Sequence, residues 1–389
     1  MRILHLINYY QPKIGYQEFF LAKKQKELGH EVFFITSDRY FPFQNYKNSY
    51  EPLLGPRKIK SGKFIENGII VYRLKPLFEI NISFIKSPFI VIKGVAPIIE
   101  ELKPDLIICH GTTIPLSVQL SKINFSQNKP FIIYDDHQGY PSKYKLLLHK
   151  IYGKIFSFFY LNDILKTKDK IIAVSHHTRD FLIDIFGFSN KDIEVAPVGV
   201  DTGAFYFSIN SRIQIRKKLN LSENDIVCIY TGKISNYKGI PELLQAYQNL
   251  KMKYDNFYLI LIGFIQDQNI KKVIDTIDSV IYLESVENKK LYKYFSASDF
   301  AIWPDHVTIS HYEAMACKLP IIVSGLDVSK ERIKWGNGFS LNTLSNKEIY
   351  DKCELLIADG NKRKKMGRKS FEAVNKELSW DSIVKQFLI

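Results

Sequence analysis

The sequence predicts an α/β protein made of two doubly wound, Rossmann-like domains that face a central cleft. A chain of 389 residues is long for one domain and suits two. Its apolar fraction of 46% supplies ample core. Short, continuous apolar runs alternate with helical segments, which is the pattern of parallel sheets covered on both faces. Such sheets bind ligands beyond the carboxyl ends of their strands, so the cleft is the expected site.

The first half of the chain carries one series of elements. Residues 3–7 form an apolar strand, residues 16–28 have helical spacing that stops at Gly29, and residues 32–36 form the next strand. Residues 40–86 show no regular pattern, so no element is assigned there. Further short apolar runs predict strands at 106–109, 131–134 and 171–174.

A second series begins after residues 198–201. Residues 226–230 form a strand, and a helix at 240–250 has Pro241 in its first turn. The series continues with strands at 258–262, 280–283, 300–303 and 321–323. The predicted domains are therefore 1–203 and 204–375, followed by a closing segment, 376–389, in which residues 380–388 have helical spacing.

Two carboxylates, Asp305 and Glu313, stand eight residues apart where a strand hands over to a short helix. Eight residues of helix rise about 12 Å, so the two groups are not expected to share one proton or one metal ion. They are suited to hold two separate hydroxyl-bearing parts of one elongated ligand. A diphosphate between those parts would favour the positive end of a helix.

A loop at 231–239 follows a predicted strand and precedes a helix. Its glycines let backbone amides approach an anion, and Lys233 and Lys238 add positive charge. It is not a Walker loop, because Gly-x-x-x-x-Gly-Lys-Ser/Thr is absent. The loop indicates a phosphate site, and a solvated turn is the alternative.

These segments resemble the retaining glycosyltransferases of the GT-B fold, family four. The carboxylate at Asp305, seven further residues and the run Glu-Ala-Met-Ala-Cys-Lys-Leu-Pro-Ile-Ile from Glu313 are similar to the family signature. The loop resembles the family's Gly-Arg-x-x-x-x-Lys-Gly. Asp305 stands where the family usually has Glu, Lys318 replaces a common Gly, and Lys233 replaces a common Arg. The resemblance spans nearly the whole chain and is weakest over 40–90.

The resemblance implies roles for individual residues. It makes the first domain the acceptor side, the second the nucleotide-sugar side, and the closing helix a segment that crosses back to the first domain. Backbone at Ser285 and Val286 would read the base; this readout does not separate UDP from GDP, and a pyrimidine such as that of UDP is only a mild preference. The implied catalytic residues are His137, Asp305 and Lys238; the implied donor-binding residues are Gly15, Lys233, Lys238, Ser285, Val286, Asp305, Ser310 and Glu313; and the implied acceptor-side residues are His110 and Tyr16. A structural histidine or an ordinary loop glycine is the alternative for His137, His110 and Gly15.

The implied reaction moves a hexose-type sugar from a nucleotide-diphosphate donor to a hydroxyl of a glycan or lipid-linked acceptor, with retention of anomeric configuration. The setting would be the synthesis of a cell-surface polysaccharide, lipopolysaccharide or glycolipid. No convincing nucleophile is present, so we expect attack on the same face, assisted by the departing phosphate. Two alternatives stay open: a catalytically degenerate protein that binds a nucleotide sugar or a partner, and a GT-B sugar-nucleotide epimerase.

Neither a metal ion nor a cofactor is expected. The cluster Asp135-Asp136-His137 has no second ligand group at a convincing spacing, and neither the pair His176-His177 nor His306 with His311 has metal-binding spacing. Four scattered cysteines without Cys-x-x-Cys indicate reduced thiols and a cytoplasmic setting. Residues 1–7 run straight into a strand, so no signal peptide is expected.

The formal net charge of +14 has more than one possible explanation. Residues 142–162 contain four lysines and no acid, interleaved with leucine, isoleucine and phenylalanine. This stretch predicts contact with an anionic membrane surface, on the inner face of the cell membrane. A core helix with a lysine-rich solvent face is the alternative. Nucleic acid is not expected as a partner, because no reader motif is present.

Overall fold

The computed structural model describes residues 1–80, 88–125, 129–141 and 143–389. The chain divides into two compact units: residues 1–198 with 383–389, and residues 199–382. The sequence placed this boundary at 203/204 and began the closing segment at residue 376. In the structure, the chain rejoins the first unit from Ile383 onward.

The first unit is built on an eight-stranded sheet. Its strands are β1 Arg2–Leu6, β2 Glu31–Ser37, β3 Gly62–Glu66, β4 Ile69–Leu74, β5 Pro76–Ile80, β6 Phe89–Ile92, β7 Leu106–His110, β8 Phe131–Asp136, β9 Lys170–Ala173 and β10 Ile193–Val195. The sheet order is β10-β9-β8-β7-β1-β2-β4-β3, and β5 pairs with β6 in a separate antiparallel sheet. All pairs of the large sheet are parallel except β3 with β4.

Helices of the first unit connect these strands. They are α1 Gln17–Glu27, α2 Tyr46–Ser49, α3 Glu51–Leu54, α4 Val95–Leu102, α5 Pro115–Ser121, α6 Lys143–Phe156, α7 Asn162–Thr167 and α8 His176–Phe186, with a π-helical turn at Ser157–Leu161 and a 3-10 turn at Asn190–Asp192. Parallel neighbours need a crossover, and helices supply it here. The central strands β1, β7 and β8 are buried along most of their length.

The second unit is a six-stranded, fully parallel sheet with the order β13-β12-β11-β14-β15-β16. The strands are β11 Ile226–Thr231, β12 Phe257–Ile262, β13 Val280–Leu283, β14 Phe300–Trp303, β15 Ile321–Val323 and β16 Gly338–Ser340. Its helices are α9 Ile209–Lys218, α10 Ile240–Lys253, α11 Gln268–Asp275, α12 Leu291–Ala297, α13 Ser310–Ala316, α14 Asp327–Lys330, α15 Asn346–Ile357, α16 Gly360–Ala373 and α17 Trp380–Ile383. Helices α9, α15 and α16 pack against the hydrophobic core of this unit.

The predicted α/β class with two Rossmann-like domains is confirmed. Each predicted strand is present to within two residues at either end. The closing segment with helical spacing, 380–388, consists of α17, Trp380–Ile383, followed directly by a 3-10 turn, Val384–Phe387. The unassigned region 40–86 holds β3, β4, β5 and two short helices, while residues 81–87 lie outside the described residues.

Candidate functional site

The lysine loop, residues 232–239, leaves the carboxyl end of β11 and runs directly into the fourteen-residue helix α10. Side-chain and backbone bonds hold its start in place: the Tyr230 hydroxyl donates to the Lys233 carbonyl at 2.7 Å, and Ile234 N–H donates to the Phe264 carbonyl at 3.0 Å. Gly239, at φ +72°, ends the loop. A Cβ on Gly239 would lie 2.7 Å from Leu344 and 2.8 Å from Pro304, so the loop closes against the end of β14.

Both lysines of this loop lie near one aromatic ring. Lys233 Nζ is 5.8 Å and Lys238 Nζ is 5.6 Å from the Tyr237 ring centroid. Burial lowers the pKa of Lys238, and nearby Tyr237 and Asp305 oppose that effect. Lys233 is exposed and Lys238 is half-buried. Two cations next to the start of a long helix form a site that favours an anion.

Asp305 lies in the turn that follows β14, close to this loop. Its Oδ1 accepts a hydrogen bond from His306 N–H at 2.7 Å, and its Oδ2 lies 3.0 Å from His306 Nδ1. The His306 ring meets Tyr237 edge-on, with 5.6 Å between the centroids. The Asp305 side chain keeps 30% of its surface exposed. Asp305, Tyr237 and Lys238 therefore belong to one local cluster in the second unit.

Glu313, unlike the partly exposed Asp305, is buried and bound by two polar side chains. It is 4% exposed inside α13, where it accepts hydrogen bonds from Ser310 Oγ at 2.9 Å and Asn288 Nδ2 at 3.1 Å. Burial raises the pKa of its carboxyl group, although both hydrogen bonds favour the charged form. Asn288 is a site neighbour that sequence reasoning missed, because it comes from the segment after β13 rather than from the motif.

The predicted helical spacing between the two carboxylates is wrong. Helix α13 begins only at Ser310, so residues 304–309 are not helical and the rise of about 12 Å does not apply. Pro304 and the positive φ of His306, +70°, keep the chain after β14 out of a helix. Helix α13 has seven residues and begins at Ser310, whereas α10 begins directly at the end of the lysine loop.

Ser285 and Val286 lie just after β13, in the second unit. Ser285 is exposed, and Val286 packs in part against that unit's core. Their backbone follows the carboxyl end of a parallel strand, which is where such sheets bind ligands. The structure therefore places the implied base-reading segment at the same edge of the sheet as the lysine loop.

In the first unit, His137 follows β8 and pairs with Asp135. Its Nε2 lies 3.3 Å from Asp135 Oδ2, and 41% of its side chain is exposed. Partial desolvation lowers the pKa of His137, but Asp135, Glu18 and Asp136 outweigh that effect and raise it to about 9. His137 is therefore an imidazolium at neutral pH.

His110 is the last residue of β7 and contacts Asp135 from that neighbouring strand. Its Nδ1 is 2.8 Å from Asp135 Oδ2, and its Nε2 is 2.9 Å from His5 Nδ1. Sequence reasoning missed His5, a single polar residue within an apolar strand. It also missed Glu18, whose buried carboxyl has its pKa raised by burial.

Gly15 and Tyr16 precede α1 in the first unit. Gly15 has φ +75°, and Tyr16 is the exposed residue before the first turn of the helix. Both lie after β1, at the same sheet edge as His110 and His137. Within the described parts of the chain, no group of three His, Cys, Asp or Glu side chains could hold a metal ion.

Two family models match this chain. The model for Glycosyltransferase Family 4 matches residues 19–204, and the model for Glycosyl transferases group 1 matches residues 211–373. Both models describe glycosyltransferases, and together they span most of the chain. The chain is a transferase with the GT-B fold, so the predicted resemblance to GT-B glycosyltransferases, the fold and the enzyme class are confirmed. The individual site residues remain predictions.

Relatives of this glycosyltransferase cover all or part of its length. An uncharacterized glycosyltransferase of Methanocaldococcus jannaschii is 25% identical over 100% of this chain and 98% of its own. An alpha-monoglucosyldiacylglycerol synthase of Acholeplasma laidlawii is 27% identical over 56% of each chain. The crystal structure of Anabaena HepE in complex with UDP-glucose has a TM-score of 0.64 at 16% identity and covers 100% of this chain and 98% of HepE. This last likeness shows the fold.

The predicted membrane-facing stretch, 142–162, forms α6 and the π-helical turn, while Ser142 lies outside the described residues. One side of α6 is buried, and Phe156 packs on Phe186 with 5.5 Å between ring centroids. Among the described residues, no helix is long and apolar enough to cross a bilayer. The opposite side forms an exposed apolar stripe: Leu147, Leu148, Ile151, Ile155, Phe158 and Phe159.

Proposed function

We propose that this glycosyltransferase moves a hexose from a UDP-sugar to a hydroxyl of a glycan or lipid-linked acceptor, with retention of anomeric configuration. The observation that carries the proposal is the cluster of Lys233, Lys238, Tyr237 and Asp305 in the second unit. It combines two cations with one partly exposed carboxylate. A diphosphate and a sugar hydroxyl are the complementary ligand groups.

The two lysines would supply positive charge to the departing diphosphate. Breaking the bond between the anomeric carbon and phosphate places negative charge on the diphosphate. Lys233 and Lys238 stand next to the first turn of α10, whose unpaired N–H groups also favour anions. Half-buried Lys238 and the N–H groups of α10 would stabilise that charge as it develops, and exposed Lys233 would add a second, flexible cation.

The carboxylates would bind hydroxyl groups at the two ends of the donor. Asp305 retains exposed surface and, in this proposal, accepts a hydrogen bond from a sugar hydroxyl. Glu313 is aligned by Ser310 and Asn288 and would accept from the ribose. Support for UDP comes from the complex of HepE with UDP-glucose, together with the position of Ser285 and Val286.

His137 would act on the sugar from the first unit. As an imidazolium it donates hydrogen bonds, so it suits a sugar or acceptor oxygen that gains negative charge in the transition state. Same-face attack assisted by the departing phosphate requires no protein nucleophile. Gly15 and Tyr16 are the proposed neighbours on the donor and acceptor sides.

Donor binding and product stereochemistry test this proposal. Isothermal titration should detect UDP-glucose, and a ligand at 100 times its Kd should stabilise the protein by about 2.7 kcal/mol. With an acceptor glycan or glycolipid, 1H NMR should show the anomeric coupling constant of the donor preserved in the product. A product of inverted configuration would refute retention, and absence of binding by any nucleotide sugar would refute the donor class.

A catalytically degenerate binding protein is the second candidate. The replacement of the family's usual Glu by Asp305, and of Arg by Lys233, favours it, since Asp is shorter and Lys lacks a bidentate fork. Slow release of UDP from UDP-glucose without acceptor decides between the two. Hydrolysis that is lost in Asp305→Asn indicates the enzyme, and binding without any hydrolysis indicates the degenerate protein.

We also propose that α6 rests on an anionic membrane surface at the cytoplasmic face, where a lipid-linked acceptor would be found. Successive helix residues rotate by about 100°, which places Lys150 and Lys154 on one border of the apolar stripe and Lys145 on the other. All three lysines are exposed, and residues 143–162 contain no acid. An apolar face bordered by lysines is typical of helices that lie in the interface plane.

Co-sedimentation with vesicles tests the membrane surface. The full chain should pellet with vesicles containing phosphatidylglycerol and not with pure phosphatidylcholine, and the fraction bound should fall in Lys150→Gln/Lys154→Gln and in Phe158→Ser. Leu53→Ser, at an exposed position elsewhere in the first unit, is the matched control. Equal binding to both vesicle types, or self-association through the stripe seen by light scattering, would contradict the proposal.

A further inference from the structure

Three neighbouring strands of the first unit carry a row of polar side chains into its core. In the sheet order β8-β7-β1, they present Asp135, His110 and His5 respectively. Asp135 and His5 are fully buried, and 5% of the His110 side chain is exposed. Buried polar groups need partners, so their hydrogen bonds can be followed one by one.

The bonds form a continuous chain. Gln25 Oε1 of α1 lies 2.7 Å from His5 Nε2, and His5 Nδ1 lies 2.9 Å from His110 Nε2. His110 Nδ1 lies 2.8 Å from Asp135 Oδ2, and the same oxygen lies 3.3 Å from His137 Nε2. The chain of bonds therefore ends at His137, the partly exposed histidine that is proposed to act on the sugar.

The partners assign the proton of His5. Gln25 Nε2 donates to the Phe387 carbonyl at 3.5 Å, so Gln25 Oε1 accepts a hydrogen bond from His5 Nε2–H. Burial, followed by the nearby His110, lowers the pKa of His5 to about 3, so His5 is neutral. One hydrogen bond joins His5 Nδ1 to His110 Nε2, and a second joins His110 Nδ1 to the Asp135 carboxylate.

We propose that Gln25, His5, His110 and Asp135 form a positioning chain that holds His137 as a cation and aims its Nδ1–H at a substrate oxygen. The inference rests on the proposed function for the identity of that oxygen. In the described residues, His137 Nδ1 has no hydrogen-bond partner within the protein, whereas its Nε2 is bound to Asp135. His110 acts in this scheme through Asp135, as a positioning residue.

The surrounding charges support a cationic His137. Asp135 and Asp136 come from β8, Glu18 comes from α1, and His110 and His5 face Asp135 from β7 and β1. Although burial opposes ionisation of Asp135, its two histidine partners lower its pKa below the usual range. Asp136 accepts from Gln138 N–H at 2.7 Å and from Thr112 N–H at 3.0 Å, so its carboxylate is already hydrogen-bonded. Asp135 is therefore the anion that sets the state of His137.

Two substitutions should lower the pKa of His137 to different extents. Asp135→Asn removes the nearby anion, so the pKa should fall from about 9 toward 6.5. His5→Phe removes one of the two hydrogen-bond partners of the His110 ring, so Asp135 is held less firmly beside His137. The pKa of His137 should then fall by less than it does in Asp135→Asn.

Long-range 1H–15N correlation spectra of the full chain, labelled with 15N-histidine, measure these values between pH 5 and 10. The chain has nine histidines, and the spectrum of His137→Gln identifies the resonance of interest. Lys272→Gln, which changes an exposed lysine of α11 in the second unit, should leave the titration unchanged. An unchanged pKa of His137 in Asp135→Asn or in His5→Phe would overturn the proposal.

The wild-type spectrum is a second test that needs no variant to fold. At neutral pH, both ring nitrogens of His137 should show imidazolium shifts, and those of His5 should show a neutral ring with its proton on Nε2. A neutral His137 would contradict the positioning chain. If the titrations behave as expected but UDP-glucose neither binds nor reacts, the positioning chain stands and the proposed function fails.

Discussion

At the scale of single residues, Lys238 has the most specific environment of the two loop lysines. It is half-buried and lies near Asp305, whereas Lys233 is exposed and would reach a ligand as a flexible cation. A partly desolvated charge interacts more strongly with an anion because water screens it less. We therefore expect Lys238 to contribute more to binding of the diphosphate.

The first prediction concerns this difference. Lys238→Gln should weaken UDP-glucose binding by about 10- to 100-fold, because a hydrogen bond to a charged group contributes about 1.5–3 kcal/mol. Lys233→Gln should cost less, and Lys272→Gln, an exposed lysine of α11, should bind like the wild type. Isothermal titration at fixed ionic strength gives all four Kd values. Equal losses for Lys238→Gln and Lys272→Gln would show that the loop does not hold the diphosphate.

A second prediction follows from the ion pair of His137 with Asp135. The folded-state pKa of His137, about 9, is above its ordinary value of 6.5, so the pair stabilises the fold fully below pH 6.5 and less as pH rises through about 9. Differential scanning calorimetry from pH 7 to 10 should therefore show Tm falling more steeply in the wild type than in His137→Gln. Parallel curves for the two proteins would contradict the assigned protonation.

At the scale of elements, two loops of the second unit are fitted to each other through glycine. Gly263, which ends β12, has φ +148°, and a Cβ there would lie 1.9 Å from the Gly232 carbonyl oxygen. Gly232 begins the lysine loop. The close approach of the two backbones thus positions the loop, and no side chain fits between them.

The third prediction is that Gly263→Ala damages both stability and donor binding. Alanine would be strained at this φ and would force the two backbones apart, so we expect a loss of about 1–3 kcal/mol in the free energy of unfolding. Gly360→Ala is the matched control, because its Cβ would meet only Arg363 at 3.6 Å, and its stability should stay within about 0.5 kcal/mol. Urea unfolding measures both. If Gly263→Ala keeps the wild-type stability and the wild-type Kd for UDP-glucose, the close approach of the two backbones does not position the loop.

At the scale of the whole molecule, the chain's last residues belong to the first unit although the preceding residues belong to the second. Ile383, Val384 and Phe387 are buried, and the Phe387 carbonyl accepts a hydrogen bond from Gln25. The first unit's core is therefore completed by residues nearly two hundred positions from the rest of it in sequence.

The fourth prediction tests this completion. Phe387→Ala should lower the free energy of unfolding by about 3–5 kcal/mol, since it removes a fully buried aromatic ring. Ile389→Ala, at an exposed position two residues later, should change it by less than about 0.5 kcal/mol. Calorimetric unfolding separates the two variants. Similar small effects would mean that the end of the chain is dispensable for the first unit.

The sequence revealed the residues of the candidate site that lie in local motifs, but not those that are joined to them by distant contacts. Lys233, Lys238, Asp305 and Glu313 were visible in the sequence because their motifs are local runs at strand ends. The helix assumed between the carboxylates was wrong, since Pro304 and the backbone of His306 delay it to Ser310. Asn288, a partner of Glu313, gave no sequence signal, because its contact crosses from one strand end to another.

The sequence by itself determined the two α/β series, the positions of their main strands and the position of the lysine loop. Apolar runs, glycines and charged residues express those features within a few neighbours, and local periodicity is enough to detect them. Only the tertiary structure decided that His5, His110 and Asp135 meet, because their contact depends on which strands become neighbours in the sheet. Strand order is set by the packing of the whole unit, and the state of His137 is set by charges that this packing brings together.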